Sequence, residues 1–468
     1  MARFNLITEV GIQVGVAITI LVRQIGNDTQ KPGEIFYLRM REDWRKEQKY
    51  AQLEEWKEIS VLDWKLVEPD RRQNWLTEGQ AKGFESFLPM GLKERKSKGA
   101  SEAIFQVFSL GVASNRDAWV FNYSSDVILA NLRKTAEAFQ RELHRFNSLD
   151  SEARTEFAPE ITESEIKWTD RLLDSLKARD ELKIAPANIR GSSYRPFTRQ
   201  SLYFDHLLIH RRYQQHRCFP TVGSERENRA IGVTGHLQVP FSSLSVSGLP
   251  CLDLGGRPTQ FFPFYNYDED GTNRRENITD WALAEFRKHY CDQSISKWDI
   301  FHYTYALLHQ PEYRTRYAAN LKRELPRIPM AREFRRYAEM GAALMKLHIE
   351  YERQAEYPLE RKETGKLDWR VEKMALSKDK TQLRYNGFLT LSGIPPEVYE
   401  YRLGNRSALE WVVDQYRVST DARSGIVNDP NREDDPEYIV RLIGQVMTVS
   451  LETVRLVGEL AGLGIDQI

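Results

Sequence analysis

The patterning of this chain predicts an α+β protein: a mixed β region with helical subdomains on both sides. Three observations carry that expectation. From Arg190 to Phe264 the signal is mostly β, punctuated by turn residues at Gly191-Ser192-Ser193 and Gly255-Gly256. Val127–Phe146 and Ile166–Leu182 before that region, and Arg332–Gln354 after it, repeat their apolar residues with the period of a helix. A further helix is expected behind Asp435-Pro436, with proline at the first helical position. It carries Ile439, Leu442, Ile443, Val446, Val454 and Val457 at helical spacing.

Taken in order, the most apolar run is Gly11–Val22. It is too short to span a bilayer and has no cleavage site after it, so it reads as a buried strand. Glu34–Arg39 reads as the strand beside it, and Asp43–Glu58 as a charged helix punctuated by Trp44 and Trp56. Lys93–Gly99 is a charged connector, which places a first boundary at residue 95. Ile104–Leu110 and Ala118–Phe121 read as short strands within a mainly helical connector over 96–185, and a third region spans 186–468. There Thr279 caps a helix with Asp280 in its first turn, and Ser296 opens another that ends before Pro311. Trp369–Thr390 alternates as a hairpin turning near Ser377-Lys378-Asp379-Lys380.

The composition narrows the class. The 468 residues include 67 basic and 67 acidic ones, which excludes a general polycation. Cys218, Cys251 and Cys291 have no Cys-x-x-Cys spacing, so neither a disulfide framework nor a zinc ribbon is expected. Against this neutral background Arg190–Arg217 stands out. It sets Arg190, Arg195, Arg199, Arg211, Arg212 and Arg217, with Tyr194, Phe197, Tyr203, Phe204 and Tyr213, against one carboxylate, Asp205. Guanidinium groups grip phosphates and fork onto guanine edges, while aromatics stack on bases or wall a groove. The alternative is a buried strand pair with solvated arginines around it. A second basic stretch, Tyr313–Tyr337, spreads its charges around a helix and reads as a solvated face, with a phosphate clamp as the alternative.

Other constellations fall short of a site. Asn266–Gly271 imitates half a calcium loop but has Asn277 where the bidentate Glu belongs, so a turn is expected. Pro69-Asp70 with Glu94-Arg95-Lys96 has the residue types of a metal-dependent nuclease, in a polar connector instead of a buried strand. His206, His210 and His216 lack a carboxylate or cysteine at ligand spacing. Asp299 and His302 read as a helix-face pair, and Ser407 and Ser424 lack a nucleophile elbow.

A resemblance extends through most of these elements. Tyr194-Arg195-Pro196-Phe197 followed by Leu202-Tyr203-Phe204-Asp205 resembles the opening of a target-recognition domain in gamma-class adenine-N6 methyltransferases. The likeness continues through Phe262–Tyr265, Ile278–Leu283, Ile295–Tyr303, Tyr317–Pro326, Leu367–Met374, Leu391–Pro395 and Tyr401–Trp411. In this order the blocks resemble the C-terminal specificity domain of type ISP restriction-modification enzymes, the single-polypeptide relatives of type I systems.

The resemblance implies the following. Residues 1–95 would be the last part of an α/β methyltransferase core, with Gly11–Val22 a late strand, and 186–468 the specificity domain. The chain would thus be a truncated or split member, working in the cytoplasm on double-stranded DNA. The missing methyltransferase, motor and nuclease parts of the same system are a possible second partner. S-adenosylmethionine, ATP and Mg belong to the full-length family. This chain has no Asn/Asp/Ser-Pro-Pro-aromatic turn, since Ile394-Pro395-Pro396-Glu397 lacks both flanking residues, and no Gly-x-x-x-x-Gly-Lys-Ser/Thr loop. No catalytic residue and no cofactor is therefore expected in it. DNA contact is assigned to Arg190, Arg195, Arg199, Arg211, Arg212, Arg217, Lys378, Lys380, Arg402, Asn405 and Arg406. Arginine and asparagine would read base edges, and lysines would hold phosphates. Two alternatives stay open: a fragment of a split methyltransferase-endonuclease active only when assembled, and an inert gene remnant.

Overall fold

The computed structural model describes residues 18–22, 33–41, 44–58, 60, 62–69, 75, 81, 83–93, 99–236 and 239–465. The chain forms two compact units, Met1–Gly79 and Gln80–Ile468.

In the first unit β1 (Ile35–Tyr37), α1 (Lys46–Glu55) and β2 (Lys65–Val67) follow one another. β1 and β2 pair antiparallel, with Phe36 opposite Leu66. β1 is expected beside a strand at Gly11–Val22, which is described only from Ile18 onward. Its ladder partner is β2, residues 11–17 lie outside the described residues, and Ile18–Val22 are exposed in no regular element. α1 buries no residue, as its sequence KEQKYAQLEE without an apolar stripe requires.

The second unit opens with β3 (Leu88–Pro89), β4 (Ser109–Leu110), α2 (Asp117–Val120), β5 (Phe121–Asn122), α3 (Ser125–Ser148), α4 (Ser151–Thr155) and α5 (Asp170–Ala178). Then come β6 (Ile189–Arg195), β7 (Thr198–Tyr203), α6 (Gln215–Cys218), α7 (Val222–Glu227), β8 (Ala230–His236), β9 (Val239–Val246), β10 (Leu249–Pro250), β11 (Gln260–Pro263), β12 (Tyr265–Asn266) and β13 (Arg275–Glu276). A helical stretch follows: α8 (Asp280–Tyr290), α9 (Lys297–Leu307), α10 (Pro311–Arg316), α11 (Ala318–Leu321), β14 (Arg327–Ile328) and α12 (Phe334–Ile349). The last part holds β15 (Glu360–Glu363), β16 (Ala375–Leu376), β17 (Gln382–Arg384), β18 (Leu389–Ser392), β19 (Arg402–Leu403), β20 (Arg406–Ser407), α13 (Ala408–Gln415), β21 (Ser419–Thr420), β22 (Val427–Asn428) and α14 (Tyr438–Ala461).

Three four-stranded sheets organise these elements, in the orders β10-β6-β7-β5, β4-β11-β8-β9 and β15-β18-β17-β16. The fold is mixed α+β, as the patterning predicts. Thr279 and Ser296 are the N-caps of α8 and α9, accepting from the Ala282 and Asp299 amides. Ala118–Val120, expected as a strand, are instead in α2, where Asp117 occupies the first turn. Four apolar residues fit either period, and burial of Trp119 and Val120 decided the matter.

The core is strongly aromatic. Phe264 stacks on Trp298 at 3.7 Å and Phe108 on Phe262 at 4.8 Å. Phe108 comes from the region expected as a separate connector. Asn277 ties that region in, donating to the Val107 and Pro263 carbonyls and accepting from the Val107 amide. Residues 99–113 are thereby built into the same core as the β region, and the units divide at Gly79/Gln80 where the sequence pattern drew lines at 95 and 185. Gly341 lets α12 lie directly on α9, since a Cβ there would collide with the His302 carbonyl.

Candidate nucleic-acid interface

The arginine-aromatic segment forms the β6–β7 hairpin and the loop after it. At the hairpin tip Arg195 pairs with Thr198 across Pro196-Phe197, and Phe197 has a left-handed φ of 54°. Its ring is 3% exposed and packs against Tyr351, Tyr401 and His348 at 5.3, 6.1 and 6.4 Å. Tyr194 lies on Phe121 at 4.9 Å and donates to Asp117. Tyr203 is fully buried and accepts from the Ala185 amide. These aromatics build the domain and are not available to bases.

The hairpin arginines are drawn into the same work. Arg190 is 9% exposed, and its Nε donates to Glu225 Oε1 at 2.7 Å while its other nitrogens donate to the Pro220 and Phe219 carbonyls. Each of its three guanidinium nitrogens is engaged and the group is buried, so a groove-reading role for Arg190 is replaced by a structural one. Burial outweighs the pull of Arg190 and holds the Glu225 carboxyl above its usual pKa. Arg195 stacks over the Tyr194 ring at 4.1 Å, donates to the Tyr194 carbonyl at 2.8 Å and reaches Cys251 Sγ at 3.3 Å. Arg199 is more open. Its guanidinium pairs with Glu352 at 3.2 Å and donates to the Ile349 carbonyl at 3.3 Å.

The loop after β7 is different. Asp205, the lone carboxylate of the segment, accepts from the Leu207 and Leu208 amides and shapes the turn. Arg211 exchanges both backbone hydrogen bonds with Ala113, at 2.9 and 3.0 Å, which fixes an exposed side chain on a short ladder. Arg217 is also exposed, and its carbonyl accepts from the Tyr267 amide. Arg212 lies 5.9 Å from the Phe204 ring. Among the described residues no carboxylate forms an ion pair with Arg211, Arg212 or Arg217. The neighbouring His216 pairs with Glu269 at 2.7 Å, and burial followed by the charge of Arg212 lowers its pKa. No group of His, Cys, Asp and Glu suited to a metal ion occurs among the described residues.

A second cationic cluster lies on the β16–β17 turn and the β19–β20 hairpin. Lys380, at φ 60°, bonds Glu410 at 2.8 Å, and Arg402 stands 3.9 Å from the same carboxylate. Arg402 also donates to the Asn405 carbonyl, while the Asn405 side chain is exposed. Arg406 pairs with Asp414 at 2.6 Å. Lys378 is exposed and in no ion pair among the described residues. Glu410 and Asp414 of α13 therefore hold this cluster in place and partly neutralise it. The Ser407–Glu410 capping box is legible in the sequence as Ser-x-x-Glu, a signal passed over in locating these partners.

The remaining constellations resolve into structure. Asp268 and Asp270 accept bonds from within the β12–β13 turn, as expected of a turn. Asp299 completes the capping box of α9 by accepting from the Ser296 amide and pairs with Arg335, while His302 lies on Trp298 at 5.4 Å. Ser407 caps α13, and Ser424 donates to Asp421. Asp70 and Glu94–Lys96 lie outside the described residues. The Tyr313–Tyr337 stretch, expected as one solvated helix face, is instead divided among α10, α11, β14 and the start of α12; Arg314 is drawn inward to donate to the Leu308 carbonyl, while Arg335 pairs with Asp292 at the surface.

The arrangement as a whole matches one family model, the Type ISP C-terminal specificity domain, over residues 103–442. The chain belongs to this family. Three solved structures are similar to this specificity domain. One is a nuclease-deletion mutant of the Type ISP restriction-modification enzyme LlaGI in complex with a DNA substrate mimic, with TM-score 0.79 and 30% identity over 94% of this chain and 40% of that one. Another is the DrdV–DNA complex, with TM-score 0.79 and 35% identity over 91% of this chain and 43% of that one. The third is the ATP-dependent Type ISP enzyme LlaBIII bound to DNA, with TM-score 0.80 and 28% identity over 93% of this chain and 28% of that one. The specificity domain chain thus spans less than half the length of these relatives. No curated protein matches it.

Proposed function

We propose that this chain recognises double-stranded DNA as the specificity portion of a Type ISP restriction-modification system. The observation that carries the reading is the similarity, over more than nine tenths of the chain, to three proteins whose structures contain DNA or a DNA substrate mimic. The exposed Arg211 and Arg217 support it, because cations without carboxylate partners are free to release counterions from phosphates. Lys378, Asn405 and Arg199 are further candidates for contact, whereas Arg190 is spent in the core. On this reading the chain itself holds no methyl donor, nucleotide or metal, and it works in the cytoplasm. The test is an electrophoretic titration of a mixed-sequence duplex at two salt concentrations. Binding that weakens steeply with salt is expected, and a folded sample that fails to bind at low salt refutes the reading.

A second reading, that catalysis arises only on assembly with a methyltransferase-nuclease part, is favoured by one observation. Ile18, Leu21, Val22, Phe36 and Leu66 of the first unit are all more than half exposed, a surface that further β structure would cover. Methylation appearing only after mixing with that part, and never with the chain alone, is the outcome it requires.

A further inference from the structure

We infer that the outer face of the β15–β18–β17 sheet is a contact surface for duplex DNA, with Phe388 as its apolar wedge and Lys362 and Arg384 as phosphate ligands. The inference rests on the DNA-recognition reading above and adds a surface that the arginine-aromatic segment does not include.

The registers define the face. Lys362 stands opposite Thr390, and Thr390 opposite Arg384, so three side chains form one row across three strands. Leu383, Leu389 and Leu391 take the alternate positions and are buried on the other face. Phe388 lies two residues before Thr390, in the β17–β18 turn just outside β18, where its carbonyl accepts from the Thr364 amide. Lys362 and Arg384 are exposed, and neither enters an ion pair among the described residues. Among the described residues in these ladders the carboxylate on this face is Glu360, in the next row opposite Ser392.

Phe388 is 43% exposed, which is unusual for a phenylalanine in a turn otherwise so firmly held. Asn386 uses its full hydrogen-bonding capacity to build that turn. Its amide donates to the Asp368 and Arg370 carbonyls at 2.6 and 2.9 Å, and its oxygen accepts from the Phe388 and Leu389 amides at 2.8 and 2.9 Å. Gly365, where a Cβ would lie 3.9 Å from the Phe388 ring, has no side chain to cover it. A rigidly presented aromatic flanked by free cations fits a DNA groove. The cations hold phosphates on either side, and the ring abuts a sugar or base step without losing conformational freedom on contact.

The experiment uses the full chain and a fluorescein-labelled mixed-sequence duplex, with affinity measured across a salt series. Phe388→Ala should weaken binding about tenfold with the salt slope unchanged. Lys362→Ala combined with Arg384→Ala should lower the slope by nearly two, at about 0.9 per phosphate contact. Melting curves should match the parent, because all three side chains are exposed, and Phe388→Leu, which keeps apolar bulk, should fall between parent and Phe388→Ala. Variants that bind like the parent overturn this surface and leave DNA recognition standing. A parent chain that binds no duplex removes both.

Discussion

Phe197 lies edge-on against Tyr351, ring centroids 5.3 Å apart and planes at 79°, although its own backbone is left-handed at φ 54°. A phenylalanine adopts that conformation only where packing outweighs its cost, on the order of 1–3 kcal/mol. Here the tip of the β6–β7 hairpin is plugged into the end of α12, and the segment that looks most like a DNA reader by composition is in large part a tie between a sheet and a helical layer.

Phe197→Ala should therefore destabilise the chain by about 3–5 kcal/mol, as for other buried phenylalanines. Phe197→Gly should cost less than that, because glycine relieves the left-handed backbone. Denaturant unfolding measures both, and equal losses would show that the backbone carries no strain.

Arg190→Ala should cost about 3–5 kcal/mol by leaving Glu225 buried without its partner. Adding Glu225→Gln should restore part of the loss, since the orphaned charge is then gone. A double-mutant cycle in thermal melts reads the coupling, and additive losses would contradict the buried pair.

Arg211→Ala and Arg217→Ala should each flatten the salt slope of duplex binding by about 0.9 with no change in melting temperature. Lys380→Ala should change the slope less, because Glu410 already neutralises that ammonium. A Lys380 effect as large as that of Arg211 would mean that DNA displaces the Glu410 contact.

Acid stability should depend on His348. Its ring lies 2.6 Å from the Tyr305 hydroxyl and 2.9 Å from Thr453, and burial, then the charge of Arg314, pushes its pKa down to about 3. The folded ring is neutral while the unfolded one takes a proton below about pH 6.5. Stability is thus fully present above that pH and falls as pH drops from 6.5 toward 3, by up to about 1.4 kcal/mol per pH unit. His348→Gln should reduce the fall in melting temperature between neutral and acid pH. His309, whose pKa burial also lowers, should leave a residual loss.

What the sequence determined by itself is local or collective. The caps at Thr279 and Ser296 and the Asx bonds of the Asp268–Thr272 turn depend on residues two to five apart, and the structure reproduces them. The ordered blocks from Tyr194 to Trp411 identified the specificity domain, because many short matches in sequence order are far more selective than any one of them. Tertiary packing decides which cations find a carboxylate partner. Arg190 finds Glu225, Arg199 finds Glu352 and Lys380 finds Glu410, pairs brought together by packing across 35, 153 and 30 residues (225 − 190, 352 − 199 and 410 − 380). A guanidinium is as soluble in a buried ion pair as it needs to be once its donors are met. Composition therefore cannot distinguish an arginine that builds the domain from one that grips DNA.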